Sequence, residues 1–228
     1  MKSILISGVS GQVGFYVNKL ATEYGFNVLC GIDARSFIDV NFPIYKSFFE
    51  VKNNVDVIID FSSPELCDNA VDFALSNNVK LVCGTTALSK QTLEKINQLS
   101  KKTAVCLSAN FSIGIPVYAK AVKLLNDALN DFDVSMTEMH NCKKKDSPSG
   151  TAKHICTQNN IKNVYSIRGG NVAGVHKTLF LGMGEEIEII HRAYDKSIFA
   201  RGALICANKL LQKEKGLFNS DMLPISPS

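Results

Sequence analysis

The sequence predicts an α/β protein with two domains, the first on a parallel β-sheet and the second an α+β domain on a mixed sheet. Short apolar runs alternate with helical segments up to about residue 112, the order of repeated βαβ units. Four strand-like runs then follow one helical segment, and a Gly-Met-Gly turn joins the last two. A closing helix at about 197–212 can pack back on the first domain. We therefore expect domains of 1–112 with 196–228 and of 113–195.

The composition excludes several classes of protein. The chain is 46% hydrophobic and 20% charged, with a net charge of +4, and its lysines are spread along the sequence apart from residues 143–145, so no nucleic-acid partner is indicated. No apolar run reaches the ~18 residues of a membrane span, and the N-terminus enters a strand directly, so we expect no membrane association and no signal peptide. Seven cysteines without a C-x-x-C pair indicate reduced thiols in the cytoplasm and no metal site.

A glycine-rich turn joins the first strand, Ile4–Ile6, to a helix predicted over 13–24 and closed by Gly25. Strand, glycine turn and helix in this order are the context in which backbone amides bind the pyrophosphate of a dinucleotide. We therefore predict a Rossmann-like dinucleotide-binding domain. Its predicted cofactor contacts in this turn are Gly8, Val9, Ser10, Gly11, Gln12 and Val13. The spacing is G-x-x-G-x-x-G rather than G-x-G-x-x-G, and a glycine-rich turn without a ligand is the alternative.

The second strand, predicted over 27–32, ends at Asp33. An acidic residue in this place can accept hydrogen bonds from the adenosine ribose hydroxyls. Arg35 could instead contact a 2'-phosphate. The cofactor is therefore predicted to be NADH or NADPH, with NADH slightly favoured by Asp33.

Three further strands, predicted over 55–61, 80–83 and 103–107, are almost continuously apolar, as parallel strands buried on both faces are. Pro64 and Ser89 begin the helices between them. Small and polar residues gather at the carboxyl ends of these strands, the edge at which open parallel sheets bind ligands. The predicted cofactor contacts here are Gly84, Thr85, Thr86, Ser108, Ala109, Asn110 and Phe111.

The second domain begins with a helix predicted over 115–129 and contains strands over 134–139, 164–168, 177–181 and 186–191. After the first of these strands, residues 138–152 read E-M-H-N-C-K-K-K-D-S-P-S-G-T-A. His140 can move a proton near neutral pH, and the lysine cluster can bind or protonate an anion. The amides of Ser149, Gly150 and Thr151, at the start of a helix, can bind a carboxylate or phosphate. A capped helix beside a solvated lysine run is the alternative.

These segments together resemble the 4-hydroxy-tetrahydrodipicolinate reductase (dihydrodipicolinate reductase) family. The motifs that carry the resemblance span nearly the whole chain. They are Gly8-x-x-Gly11-x-x-Gly14, Asp60-Phe61-Ser62-x-Pro64, Gly84-Thr85-Thr86, Asn110-Phe111-Ser112-x-Gly114, Glu138-Met139-His140, Lys144-x-Asp146-x-Pro148-Ser149-Gly150-Thr151-Ala152, Arg168-x-Gly170, Gly174-x-His176 and Phe199-Ala200-x-Gly202-Ala203.

The resemblance implies NAD(P)H-dependent reduction of a cyclic imine with two carboxylates, in diaminopimelate and lysine biosynthesis. It implies that His140 is a general acid/base, that Lys144 is a proton donor, and that Ser149, Gly150 and Thr151 hold a substrate carboxylate. Asn141 stands where the family has a second histidine, and it can donate a neutral hydrogen bond to the substrate. The family also forms homotetramers through the sheet of the second domain.

Other departures bear on cofactor preference and catalytic efficiency. Gln12-Val13 replaces an Arg-Met pair, Ala34 replaces an arginine that often follows the acidic residue, and Lys196 replaces an arginine before the closing helix. A short-chain dehydrogenase is disfavoured because none of the six tyrosines is followed by lysine four residues later. A non-catalytic nucleotide sensor is a second alternative, but a sensor needs neither His140 nor Lys144.

Overall fold

The computed structural model describes residues 1–34, 39–52 and 54–223. The chain forms two compact units, one of residues 1–112 with 197–228 and one of residues 113–196.

Strands and helices alternate along most of the chain. The strands in the described residues are β1 (Lys2–Ser7), β2 (Phe26–Ile32), β3 (Ile44–Tyr45), β4 (Val57–Asp60), β5 (Lys80–Cys83), β6 (Ala104–Leu107), β7 (Asp133–His140), β8 (Asn163–Arg168), β9 (Gly174–Leu181), β10 (Glu186–Ala193) and β11 (Gly216–Phe218). The α-helices there are α1 (Gln12–Leu20), α2 (Pro64–Asn77), α3 (Lys90–Ser100), α4 (Gly114–Ala128), α5 (Gly150–Gln158) and α6 (Ser197–Leu211).

The first unit contains a seven-stranded sheet in the order β11-β6-β5-β4-β1-β2-β3. All of its neighbouring strands pair in parallel. The strand order reverses between β1 and β4, and this topological switch is the place where open α/β sheets bind nucleotides. The predicted Rossmann-like parallel sheet is therefore confirmed.

Helices cover both faces of this sheet, which explains why its strands are apolar on both sides. Ile4 and Ile6 belong to the core formed with α1 and α6, whereas Leu5 belongs to the core formed with α2 and α3. The closing helix α6 packs against α1 and against β4, β5 and β6. It therefore belongs to the first unit.

Local details differ from the sequence-based expectation. The helix predicted over 13–24 ends as α1 at Leu20, and a separate 3₁₀ turn, Thr22–Tyr24, leads to Gly25 in the left-handed conformation. The strands β3 and β11 were not predicted, because two or three residues carry no readable periodicity. Each is specified by its pairing with a neighbour, β2 for β3 and β6 for β11.

The second unit contains a four-stranded sheet in the order β10-β9-β7-β8. Strands β7 and β8 are parallel, and the other pairs are antiparallel, so the predicted mixed sheet is confirmed. Residues of α4 and α5 form a core with one face of this sheet. The β9–β10 hairpin closes through a hydrogen bond from Gly182 N to Glu185 O at 2.9 Å.

In the described part of the chain, no helix combines the length and apolar character that crossing a membrane requires.

Candidate active site

The glycine turn of the first unit lies at the carboxyl end of β1, and two of its glycines are required by space. Gly8 has a φ of +79°, and a Cβ there would lie 2.5 Å from the carbonyl oxygen of Phe61. A Cβ on Gly14 would lie 2.3 Å from the carbonyl oxygen of Gly8. The glycines therefore let α1 approach the sheet edge closely, which is the role expected in a dinucleotide-binding turn.

The start of α1 presents backbone amides suited to a phosphate. Gly11 is its N-cap residue and provides no side-chain hydrogen bond to the first turn. Gln12 is exposed and Val13 is half-buried, whereas the side chain of Val9 is fully buried. Val9 can therefore meet a ligand only through its backbone. These residues fit the phosphates of a dinucleotide, which amides at a helix N-terminus bind well.

Asp33 lies at the end of β2 and connects it to the glycine turn. Its Oδ2 accepts a hydrogen bond from the amide of Ser10 at 3.0 Å, and only 7% of the residue is exposed. The structure thus brings Asp33 beside the predicted phosphate site. Arg35, the other predicted determinant of cofactor choice, lies outside the described residues.

A buried carboxylate supports the loop after β5. Asp60 accepts hydrogen bonds from the hydroxyls of Ser62 and Thr85, both at 2.5 Å, and burial raises the pKa of its carboxyl group. Because the hydroxyl of Thr85 also accepts a bond from the amide of Ser62 at 2.9 Å, this side chain points inward. Thr86 is exposed, so it is the threonine of the pair whose side chain is accessible to a ligand.

The loop after β6 is held by its own polar groups. Ser108 Oγ donates to the carbonyl of Asn110 at 2.9 Å, and Asn110 Oδ1 accepts from Ser112 N at 2.8 Å. The ring of Phe111 is buried and packs edge-on against Phe61, with centroids 5.5 Å apart. Ala109 is exposed. Because its ring is buried, Phe111 can contact a cofactor only through its backbone, and Ala109 is the exposed residue of this loop.

The second unit places a histidine and a glutamate together at the end of β7. Glu138 and His140 alternate with Met139, so both side chains lie on the same face of the strand. Glu138 Oε2 is hydrogen-bonded to His140 Nδ1. On the neighbouring strand β8, Arg168 Nη2 donates to Glu138 Oε1 at 2.7 Å. The predicted acid/base residue thus has a charged partner.

The protonation states of Glu138 and the two neighbouring histidines follow from their burial and from their charged and hydrogen-bonded neighbours. Burial opposes ionisation of Glu138, but the hydrogen bonds that include those from Arg168 and His140 lower its pKa to about 2. Burial lowers the pKa of His140 below its ordinary value, although Glu138 acts in the opposite direction. Burial lowers the pKa of the adjacent His176 to about 4. Near neutral pH, Glu138 is therefore a carboxylate and His176 is uncharged.

The loop between β7 and α5 brings the predicted proton donor and the predicted anion site to one carboxylate. Lys144 Nζ lies 2.8 Å from Asp146 Oδ1, and the amide of Gly150 donates to Asp146 Oδ2 at 3.3 Å. The hydrogen bond from Lys144 lowers the pKa of Asp146. These two donors, from residues six apart in sequence, thus already bind a carboxylate group.

Other predicted residues complete this loop. Ser149 Oγ accepts from Ala152 N at 3.2 Å and caps α5, while the amide of Ser149 donates to Glu138 Oε1 at 3.2 Å. Thr151 is half-buried in the first turn of α5. Asn141 Oδ1 accepts from Lys143 N at 3.1 Å, so its amide oxygen organises the lysine segment.

Glu138, Asp146 and Arg168 were quoted in the sequence motifs but were not assigned to the site. The two-residue spacing of Glu138 and His140 on a predicted strand could have paired them. Arg168 could not be paired in this way, because its position opposite His140 depends on the register of β7 with β8.

Comparisons with known proteins agree along nearly the whole chain. The family model described as dihydrodipicolinate reductase, N-terminus, matches residues 2–111, and the model described as dihydrodipicolinate reductase, C-terminus, matches residues 114–223.

The chain belongs to the dihydrodipicolinate reductase family.

Similar proteins within this family include two named 4-hydroxy-tetrahydrodipicolinate reductase. The one from Campylobacter lari is 36% identical, with 97% of this chain and 98% of the relative covered. The one from Caldanaerobacter subterraneus is 34% identical, with 98% of each covered. Among solved structures, a dipicolinate-bound dihydrodipicolinate reductase from Paenisporosarcina sp. TG-14 has a TM-score of 0.81 at 21% identity, with 96% of this chain and 97% of that chain covered. This last likeness shows the shared fold.

Proposed function

We propose that the protein reduces 4-hydroxy-tetrahydrodipicolinate to tetrahydrodipicolinate with NAD(P)H, in diaminopimelate and lysine biosynthesis. The observation that carries the proposal is the β7–α5 loop, where Lys144 and the Gly150 amide both bind the carboxylate of Asp146. The chain also belongs to the dihydrodipicolinate reductase family. The overall reaction consumes the substrate, NAD(P)H and a proton, and it yields tetrahydrodipicolinate, NAD(P)⁺ and water.

The cofactor is proposed to bind at the carboxyl edge of the seven-stranded sheet. Support comes from the cradle formed by Gly8 and Gly14 and from the amides at the start of α1. When bound, NAD(P)H supplies the hydride. We propose a slight preference for NADH, because the Asp33 carboxylate is held beside the turn and would repel a 2'-phosphate.

The substrate is proposed to place a carboxylate on Lys144 and on the Gly150 amide. Asp146 Oδ1 and Oδ2 already satisfy these donors, so the geometry suits a carboxylate with two accessible oxygens. The dipicolinate ligand of the Paenisporosarcina relative has two such groups. Thr151 and the amide of Asn141 are proposed to complete the contacts. Ser149, which was also predicted to bind the carboxylate, is buried, and its amide and hydroxyl are bonded to Glu138 and Ala152, so we propose that it supports the loop instead.

Proton transfer is proposed for His140 and Lys144. Hydride addition to the ring conjugated with the imine leaves an electron-rich product, which must gain a proton. His140 is paired at Nδ1 with Glu138, so its Nε2 is the nitrogen that can exchange a proton with a ligand. A positioned acid of this kind contributes about 10²- to 10⁴-fold in rate.

We also propose that the protein is a cytoplasmic homotetramer, assembled through the second unit's sheet. The face of this sheet turned away from the α4–α5 core carries a cross-strand row, in which Ile190, Lys177, Thr137 and Tyr165 pair in succession. Ile190 is 43% exposed and Tyr165 is 60% exposed. Exposed apolar side chains on a sheet face support burial against a second copy of the chain. The seven unpaired thiols support a reducing compartment.

The reaction is tested by following NADH and NADPH oxidation at about 340 nm, with the substrate generated from pyruvate and aspartate semialdehyde by the preceding synthase. Oxidation that depends on the synthase supports the proposal, and the ratio of the two rates tests the NADH preference. Folded protein that binds NADH but oxidises neither cofactor would support the sensor alternative instead.

A further inference from the structure

Glu138 lies on the eight-residue strand β7, and its side chain has no exposure to solvent. Its neighbours across the sheet are His176 on β9 and Ser166 on β8. Burial of a charged carboxylate is costly unless hydrogen bonds and an opposite charge compensate it. The side chain therefore needs all the partners that the fold supplies.

The two oxygens of Glu138 have different partners. Oε1 accepts two N–H groups, from Arg168 Nη2 at 2.7 Å and from the amide of Ser149 at 3.2 Å. Oε2 bonds to Nδ1 of His140. Because one oxygen accepts two hydrogen bonds, the carboxylate cannot rotate out of this plane without losing them, and the other oxygen stays directed at the imidazole.

The hydrogen bond to Glu138 sets the tautomer of neutral His140 and favours its protonation. An acceptor at Nδ1 requires that nitrogen to carry the proton, so neutral His140 presents an unprotonated Nε2. A negative charge at Nδ1 also stabilises the imidazolium form. A Cβ on Gly174 would lie 3.1 Å from Nε2, so the glycine leaves room at this nitrogen.

The same carboxylate anchors the anion-binding loop. The amide that bonds to Oε1 belongs to Ser149, the N-cap of α5, immediately before Gly150. Arg168 Nη2 adds a second link, since it also donates to the carbonyl of Asp146 at 2.6 Å. Glu138 is thus bonded both to the predicted acid/base and to the loop proposed to hold the substrate.

We propose that Glu138 is a positioning residue for the reduction. It fixes the Nδ1–H tautomer of His140, favours the protonated imidazole, and holds the start of α5 in register with it. Glu138 itself transfers no proton to the substrate. The inference rests on the proposed function, which assigns proton transfer to His140.

The isosteric variant Glu138→Gln tests the role. Its amide oxygen must face the two donors of Arg168 and Ser149, so its NH₂ group faces His140 Nδ1 and forces the Nε2–H tautomer. We expect kcat to fall about 100-fold or more, with NADH affinity unchanged. The ionisation of His140 in the pH profile of kcat/KM should move down by about one pH unit or more. Glu138→Asp keeps the charge, so it should retain the ionisation and recover part of kcat.

A measurement on the wild-type protein keeps the proposal testable if Glu138→Gln does not fold. Nitrogen-15 NMR of the imidazoles, of which the chain has four, reports the tautomer of each histidine, and His140→Ala assigns the relevant signal. We expect Nδ1–H for neutral His140. An Nε2–H tautomer, or a Glu138→Gln protein with unchanged His140 ionisation, would overturn the proposal. Because this readout needs no turnover, a failure of the synthase-coupled assay would be recognised separately as failure of the proposed function.

Discussion

Asp146 occupies the donors that are proposed to bind the substrate. Its two carboxylate oxygens lie 2.8 Å from Lys144 Nζ and 3.3 Å from the Gly150 amide. A substrate carboxylate can bind Lys144 or the Gly150 amide only after that donor has broken its bond to Asp146. The side chain is half exposed, with 47% of its surface accessible, so it can turn into solvent at little cost. Asp146 therefore acts as an internal competitor for the anion site.

The variant Asp146→Asn is expected to bind dipicolinate several-fold more tightly than the wild type. Removal of the negative charge leaves Lys144 without an internal counter-ion, and a substrate-like dianion can supply the replacement. Isothermal titration calorimetry with dipicolinate in the presence of NADH measures the change. Asp127→Asn, which breaks an exposed ion pair with Lys123 on α4, serves as the control with unchanged affinity. Weaker binding by Asp146→Asn would show instead that Asp146 orders the two donors.

For single residues, the sequence indicated which residues are candidates for the site better than which residues they contact. His140, Lys144 and Gly150 could be singled out by their chemistry and by the motif that contains them. Thr85 and Phe111 could be placed at the correct sheet edge, but not oriented. The structure turns the Thr85 hydroxyl toward Asp60 and buries the Phe111 ring, because packing on both faces of the sheet decides which way a loop side chain points.

Among the elements, α6 lies against the loop that follows β6, at the proposed cofactor edge. A Cβ on Gly202 would lie 1.8 Å from the carbonyl oxygen of Phe111, in the loop that follows β6. A backbone oxygen at this distance cannot move aside as a flexible side chain can. The glycine therefore permits the helix and the loop to touch.

Gly202→Ala is expected to destabilise the protein by about 3 kcal/mol and to weaken NADH binding by displacing the loop after β6. Urea unfolding and a fluorescence titration with NADH measure the two effects. Gly169→Ala is the matched control, because a Cβ there meets no atom within 4 Å, and its stability should stay within about 0.5 kcal/mol of the wild type. Equal stability of the two variants would mean that α6 can shift without cost.

The elements that could be predicted are those with a strong pattern. Buried parallel strands such as β4 and β5 carry apolar runs, and Ser63 and Ser89 cap the helices that follow them. The strands β3 and β11 carry no comparable signal, since they are two and three residues long. They exist only because the edges of a neighbouring strand offer unpaired backbone groups, which local sequence does not reveal.

For the whole molecule, the proposed tetramer predicts a mass in solution four times the 24.9 kDa of the chain. The double variant Tyr165→Lys with Ile190→Lys should yield smaller species, because it places two charges on the apolar part of the proposed interface. Light scattering coupled to size-exclusion chromatography measures both. Phe49→Lys, at a 99% exposed position of the first unit, should leave the mass unchanged. A monomeric wild type, or a double variant that keeps the wild-type mass, would contradict the proposed assembly.

The central claim is that His140, at the end of β7, and Lys144, in the loop that follows it, transfer protons in a reductase of this family. The most direct test measures synthase-dependent NADH oxidation by His140→Ala and Lys144→Ala, with Lys162→Ala, an exposed lysine outside the site, as control. We predict that turnover falls at least about 100-fold in the first two variants, while their affinity for NADH and the turnover of the control are unchanged. Wild-type turnover in both His140→Ala and Lys144→Ala would contradict the account.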